Sequence, residues 1–327
     1  MNTMTMKWLI RREFWEYKGA MFWGPVAVAA LLVALFGGTI VYALAGHHLP
    51  THLTINGQSM DHGITVALDT KVRLAKMATS VYLVAALPLF GLLSAVVFSY
   101  CLGALHDERR DRSILFWKSL PVSDEMTVLS KALTAMLVAP IITIVLATLT
   151  SLVLLLLGCL ALSVNGMNVI GTVLSSPDLY LSPLRLVALL PVYMVWALPT
   201  VSWLLLVSGW ARTKPSMWAV GGPLIGLMIV KWMSVALQSL SGTPLNLMHH
   251  AQDLVARLLT GVVPGIWFSY DKMVLPNLRP TENGIDMNSL VTHSYATLAT
   301  ADAWIGFALG AAMLYGAVRL RRHRDEG

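Results

Sequence analysis

Six stretches of the chain are each long and apolar enough to cross a bilayer, which takes about 20 helical residues. They run 21–45, 77–103, 132–160, 186–209, 217–240 and 301–320. Charged residues make up only 12% of the 327, about half the soluble norm, and mean hydropathy is +0.68. The expected fold class is an all-α polytopic membrane protein: one transmembrane domain, 1–327, with six transmembrane helices. Lys7, Arg11, Arg12 and Lys18 precede the first run, which exceeds a signal-peptide core and has no small-x-small cleavage site. A retained first span is therefore expected.

Lysine and arginine orient the spans. One side receives 15 of them, from residues 7–18, 109–131, 212–214 and 319–324; the other receives 7, and Lys231 falls within a span. Both termini are expected in the cytoplasm, which an even number of spans also requires. The net charge of +6 comes without a basic stripe interleaved with aromatics, so no nucleic-acid partner is expected. Cys101 and Cys159 fall in apolar runs near opposite bilayer faces, too far apart for a disulfide. Pro88, Pro140, Pro191, Pro199 and Pro223 lie inside spans and predict a kinked, packed bundle.

Residues 4–19 set Trp8, Leu9, Phe14, Trp15 and Tyr17 among Arg11, Arg12, Glu13, Glu16 and Lys18, and end at Gly19. This pattern predicts an N-terminal interfacial helix on the cytoplasmic leaflet, in contact with membrane lipids. The outer loop 241–300 is structured. Thr243-Pro244 can start a helix, and apolar residues recur at three and four from Leu247 to Leu259 before Gly261 stops it. An amphipathic helix at the membrane surface is expected there, followed by the interface-favouring Trp267, Phe268 and Tyr270.

The loop 106–123 differs from its surroundings. Asp107, Glu108 and Asp111 offset Arg109, Arg110 and Arg112. Spacings Glu108–Arg112 and Asp107–Arg110 allow local pairing on a helix. The segment Ser113–Leu120 then carries Ile114, Leu115, Phe116, Trp117 and Leu120, too short to span and too apolar for a solvated loop. Pro121 ends it. Ser123 can cap the third span, with Asp124 and Glu125 at the helix's positive end. Such a patch marks a partner site, or folds Ile114, Phe116 and Trp117 back onto the membrane interface.

The run E-R-R-D-R-S-I-L-F-W-K-S-L-P-V-S, from Glu108 to Ser123, resembles the first cytoplasmic loop of bacterial ABC type-2 exporter permeases. Glu108 and Arg109 match that loop's opening acidic–basic pair, and Leu120, Pro121, Val122 and Ser123 match its leucine-proline-small-serine close. The run R-R-E-F-W-E-Y, from Arg11 to Tyr17, is similar to the family's interfacial helix, whose counterparts here include Arg12, Glu13 and Trp15. The likeness covers the whole chain in layout and these two segments in motif. Ser113-Ile114 depart from it, standing where many relatives have a glycine-containing pair.

The resemblance implies the permease subunit of an ATP-driven exporter in a bacterial cytoplasmic (inner) membrane. It would act as a homodimer or heterodimer of permeases with two copies of an ABC ATPase subunit, which bind ATP and Mg. A cytoplasmic coupling helix between spans two and three would sit in a cleft of the ATPase, with Glu108, Arg109, Arg112, Ile114, Phe116, Trp117, Lys118, Leu120 and Pro121 at the contact. Spans two and five would face the dimer centre. By position, Phe90, Phe98, Met228 and Trp232 would line a cavity for an amphipathic or hydrophobic cargo: a peptide, a drug-like molecule or a lipid. Independently of any family, the chain has no GxxxxGK[ST] phosphate loop, so ATP-driven work needs a partner. The alternative reading is a non-transporting scaffold or sensor that docks a cytoplasmic protein through the same helix.

Lys231 either faces the cavity or snorkels to the outer interface beside Trp232. Asp302 is its partner or a helix-start residue. His47, His48, His52 and His62, near Asp61, form either a metal-binding cluster or a polar loop; their spacing fits no closed zinc pattern. HExxH, GxSxG and paired intramembrane carboxylates are missing from the sequence, so a catalytic role is not expected.

Overall fold

The computed structural model describes residues 3–45, 53–55, 58–60, 72, 75–79, 82–111, 122–164, 168–241, 247–270 and 287–323. Six helices are long and apolar enough to cross a membrane: Gly19–Tyr42, Ala75–Arg110, Asp124–Val164, Pro177–Trp210, Pro215–Ser239 and Ala301–His323. The first is preceded by α1 (Thr3–Glu16) and consists of a π turn, Gly19–Trp23, running into α2 (Gly24–Ala45). A two-stranded antiparallel pair follows, β1 (Leu53–Ile55) and β2 (Gln58–Met60), with Thr54 opposite Ser59. The histidines His47, His48, His52 and His62 lie outside the described residues.

Span two contains a 3-10 turn, Tyr82–Ala86, then α3 (Leu87–Gly103) and the short α4 (His106–Arg110). Span three joins α5 (Asp124–Leu133) through a π turn, Thr134–Val138, to α6 (Ala139–Val164). Both π turns come just before a proline, Pro25 and Pro140. Proline supplies no N–H to the helix, and the wider turn absorbs the missing bond. Pro88 and Pro191 lie inside their spans, as the sequence suggests, at the points where one helical segment gives way to the next: after the 3-10 turn Tyr82–Ala86, and after the helix Pro177–Ala188. Each lies in the first turn of its helix, where the missing N–H costs nothing. Ser123 caps α5 by accepting from the Met126 N–H. At 41 residues, span three is about 60 Å long, twice the hydrocarbon thickness of a bilayer. Its charged first turns therefore project beyond the apolar layer.

The short α7 (Ile170–Leu174) leads to span four, made of α8 (Pro177–Ala188) and α9 (Leu190–Trp210). Span five is α10 (Pro215–Ser241). It is followed by α11 (Leu247–Thr260), α12 (Trp267–Tyr270), α13 (Met287–Ala296) and finally α14 (Ala301–His323). The centre of the bundle is α9: 67% of span four's most apolar window is buried against protein, compared with 6% for span five. Trp196, Val201, Leu204 and Leu205 of α9 are buried, joined by Val97, Tyr100 and Cys101 of α3. Cys101 and Cys159 are both buried free thiols.

The principal helix pair is α9 with α14. It is close because α14 turns small residues toward α9: Ala303, Gly306, Gly310 and Ala317 are all buried. A Cβ at Gly310 would stand 2.9 Å from Leu198 Cγ and 3.0 Å from the Pro199 nitrogen.

The amphipathic helix expected between spans five and six exists as α11, but its end does not stay at a surface. Its end wedges between spans. Thr200 Oγ1 donates to the Arg257 carbonyl (2.7 Å), and Tyr193 OH donates to the Val262 carbonyl (3.2 Å). Ser94 of α3 also reaches Val262 O at 3.4 Å. Ser94 and Thr200 lie well inside their helices, so the segment 257–262 reaches the middle of the bundle. Arg257 is buried, its guanidinium 4.3 Å from the Trp196 ring and bonded to the Asp302 and Ala303 carbonyls of α14. Only a glycine at 306 leaves room for it.

Replacing Gly310 with valine should lower thermal stability in detergent by about 1–3 kcal/mol, the usual cost of overpacking. Gly226→Ala, at a site with nothing within 4 Å of an added Cβ, should be neutral or mildly stabilising. Equal melting shifts for the two variants would contradict this assignment of the α9–α14 contact.

Candidate functional site

The densest chemistry lies at one end of the bundle, where α1, α4, the start of α5 and the ends of α9 and α14 meet. Two of these elements, α1 and α5, bring buried apolar side chains, and an aromatic pair lies beside them; the rest of the junction is polar. Met6 and Leu9 of α1 are buried, as are Thr127 and Val128 of α5. The Tyr17 ring stands edge-on to Tyr100 of α3, with centroids 4.8 Å apart.

Glu13 shares the buried face of α1 with Met6 and Leu9 and is 1% exposed; its partner Lys131 is equally buried. The Lys131 ammonium lies 2.9 and 3.0 Å from the two Glu13 oxygens, and Tyr100 OH donates to Oε2 at 2.9 Å. The same ammonium is 2.9 Å from Glu108 Oε1. Glu108 Oε2 accepts from Arg321 Nη1 at 2.6 Å, and Arg321 Nε donates to Asp124 at 3.0 Å. Arg12 completes the set, 3.6 Å from Glu108 and 3.3 Å from Glu16. Three cations, Arg12, Lys131 and Arg321, thus face Glu13, Glu108 and Asp124. The cluster is near neutral and fully cross-linked, which is what allows it to be buried. At its edge, burial first and the Glu13 carboxylate second push the Glu16 carboxyl above its ordinary pKa. Burial, then Asp107, does the same to the Tyr17 phenol.

A second set of bonds ties α4 to the end of α9. The Ser208 hydroxyl accepts from the Leu105 and His106 N–H groups (3.1 and 3.0 Å) and donates to the Leu102 carbonyl (2.7 Å). Arg109 Nη2 donates to the Ser208 and Ala211 carbonyls at 2.6 and 2.9 Å. These are last-turn acceptors of α9, where a cation also complements the helix dipole. One short helix, α4, is therefore joined by Glu108 to spans three and six and by Arg109 to span four, while continuing from span two.

Glu108 also has partners beyond the local spacing read from the sequence, whose Arg112 lies outside the described residues. Its close partners, Lys131 and Arg321, come from spans three and six. Glu108 and Arg109 point into the protein, whereas Arg110 and Asp111 are exposed and 3.9 Å apart. Arg112, Ile114, Phe116, Trp117, Lys118, Leu120 and Pro121 lie outside the described residues. Of the interfacial-helix residues, Arg12 and Glu13 belong to the cluster, and Arg11 and Trp15 are on the exposed face of α1. Phe90 and Phe98 pack against the α3–α9 core. Met228 (75%), Trp232 (76%) and Lys231 are exposed on α10, so this chain does not enclose the five expected cavity residues. Asp302 is exposed in the first turn of α14, where its charge suits the helix start. Among the described residues, no group of histidine, cysteine or carboxylate side chains is set to hold a metal.

The sequence reading missed Lys131, Arg321, Tyr100 and Ser208. Glu13 carried the one available signal: a carboxylate at helical spacing from Met6 and Leu9, on an apolar face, requires a buried cation.

Lys131→Met should destabilise the protein by about 3–5 kcal/mol, because it leaves Glu13 and Glu108 buried without their shared cation. Adding Glu13→Gln should recover part of that loss. Thermal melting of the two variants in one detergent measures this, and a double variant no more stable than the single would contradict the shared-cation arrangement.

In comparisons with known proteins, no family model, curated protein or solved structure matches this chain.

Proposed function

We propose that this chain is the membrane-spanning subunit of an ATP-driven exporter, with the charged end of its bundle in the cytoplasm and a separate ATPase seated on residues 112–121. One observation carries the reading. The helix just before that segment, α4, is bonded to the ends of spans three, four and six through Glu108, Arg109 and the Ser208 hub. A displacement applied to 112–121 would reach α4 first. Glu108 and Arg109 would then carry it into span six and into α9, the centre of the bundle. Spans joined this way move as rigid bodies, the motion required to shift a pathway from inward to outward access. ATP and Mg belong to the partner, since the chain has no phosphate loop of the GxxxxGK[ST] kind.

The poorly buried fifth span, with Met228, Lys231 and Trp232 exposed, suits a wall shared with a second permease in a homodimer or heterodimer. Its apolar character favours an amphipathic or hydrophobic cargo. A bacterial cytoplasmic membrane is the compartment in which such a pair of subunits would work.

The test asks whether an ABC ATPase is encoded beside this gene, then co-expresses that ATPase with the chain and reconstitutes the pair. Wild-type protein should co-purify with that ATPase and support ATP-dependent efflux of an amphipathic dye. Phe116→Ala with Trp117→Ala should abolish co-purification. Glu108→Gln should leave co-purification intact and lower efflux at least about tenfold, the effect of losing roughly 1.4 kcal/mol of coupling. Association without efflux in the wild type would assign the chain to the scaffold or sensor class, and association that survives the double alanine change would remove 112–121 as the docking segment.

A further inference from the structure

The buried side of α1 serves the charge cluster, which leaves its other side to be explained. Trp8 (63%) and Trp15 (56%) stand out from α1, and Trp23 (57%) from the π turn that follows. Arg11 and Lys7 are exposed with them. Met4, Trp8, Arg11, Trp15 and Lys18 recur at intervals of three and four, which places them on one helical face. The cations sit on the rings. Arg11 is 5.4 Å from the Trp8 centroid, and Lys18 is 4.5 Å from Trp15 and 6.0 Å from Trp23. The two carboxylates of α1 are committed elsewhere, Glu13 to Lys131 and Glu16 to Arg12. Lys18 immediately precedes the first apolar span, which begins at Gly19. That is the level of the lipid headgroups, where tryptophan and lysine are both favoured.

We propose that Lys18, between the indoles of Trp15 and Trp23, is the seat of a binding site for the headgroup of an acidic phospholipid, with Arg11 on Trp8 extending it along α1. An ammonium over an indole keeps its outer side for oxygen acceptors, and a lipid phosphate supplies them. A zwitterionic choline lipid does not fit equally well, because Lys18 already occupies the ring faces that would hold a quaternary ammonium. The buried stack of Arg257 on Trp196 is of a different kind, since backbone carbonyls take up that guanidinium. At the same end of the bundle, exposed Arg319 stacks on Tyr315 at 5.2 Å and offers a secondary contact of the same chemistry. The proposal needs only the membrane-spanning layout and does not depend on the exporter reading.

Native mass spectrometry of the full-length protein, incubated with equimolar phosphatidylglycerol and phosphatidylcholine, tests it. The wild type should retain phosphatidylglycerol in preference. Lys18→Gln should lower the ratio by about fivefold, the contribution of one cation near an anionic surface, while Lys18→Arg should preserve it. Lys76→Gln removes an exposed charge far from α1 and should change nothing. Should Lys18→Gln aggregate, Trp15→Leu keeps every charge and must lower the ratio too. An unchanged ratio in Lys18→Gln or Trp15→Leu overturns the proposal. So does an equal fall in Lys76→Gln, which would mean net charge alone, or displacement of the lipid by millimolar inorganic phosphate, which would mean a free-anion site.

Discussion

An ammonium removed from water loses several kcal/mol of hydration, and only close, complementary acceptors restore it. Lys131 is in that position, almost fully buried, and its acceptors Glu13 and Glu108 come from helices 118 and 23 residues away in sequence. Much of the charged end of the molecule follows from that requirement. Helix α1 must lie against α5 to bring in Glu13. Helix α4 must turn inward to bring in Glu108, and α14 must extend past the apolar layer so that Arg321 can balance the second carboxylate. A neutral bundle of the same hydrophobicity would have no comparable reason to hold these five elements in one register. Spans in lipid gain little from burying carbon against carbon, so polar contacts at their ends carry more of the specificity.

The opposite half of the bundle is organised by close approach. Glycine and alanine on α14 let its backbone come against α9, and the notch at Gly306 admits the Arg257 side chain. That arginine attaches the segment after span five to spans four and six through carbonyls that the first turn of α14 presents. Thr200, Tyr193 and Ser94 then satisfy the carbonyls at the end of α11, which could not otherwise sit so deep without loss. The two halves share α9. It receives Arg109 and Ser208 contacts at one end and the α11 wedge along the other, so a shift of α4 and a shift of the wedge act on the same helix.

Much of this layout is legible in the chain. Runs of apolar residues about 20 long have no stable alternative to a spanning helix, and all six appear. The end of α11 at Thr260 follows from the glycine after it; α1 instead ends at Glu16, and Gly19 opens the π turn without breaking the helical path. The kinks were harder to read. A proline at position 88 or 191 looks the same in sequence whether it interrupts a helix or begins one; which it does depends on where the preceding turn stops. The reading of α11 as a surface helix failed for a related reason. Its apolar stripe with one arginine is what a helix on a membrane would show, and nothing within the stripe reveals the notch that Gly306 provides much further along the chain.

The sequence by itself determined the membrane class, the number of candidate spans and the lack of a GxxxxGK[ST] phosphate loop, because each depends on local length, composition or motif. Only the tertiary structure decided which charges neutralise one another. Local spacing offers Glu108 a partner four residues along its own helix and gives no sign of Lys131 or Arg321. The bundle brings those two in because, once α3, α5 and α14 are packed, a carboxylate at that position is shielded from water and takes the cations enclosed with it.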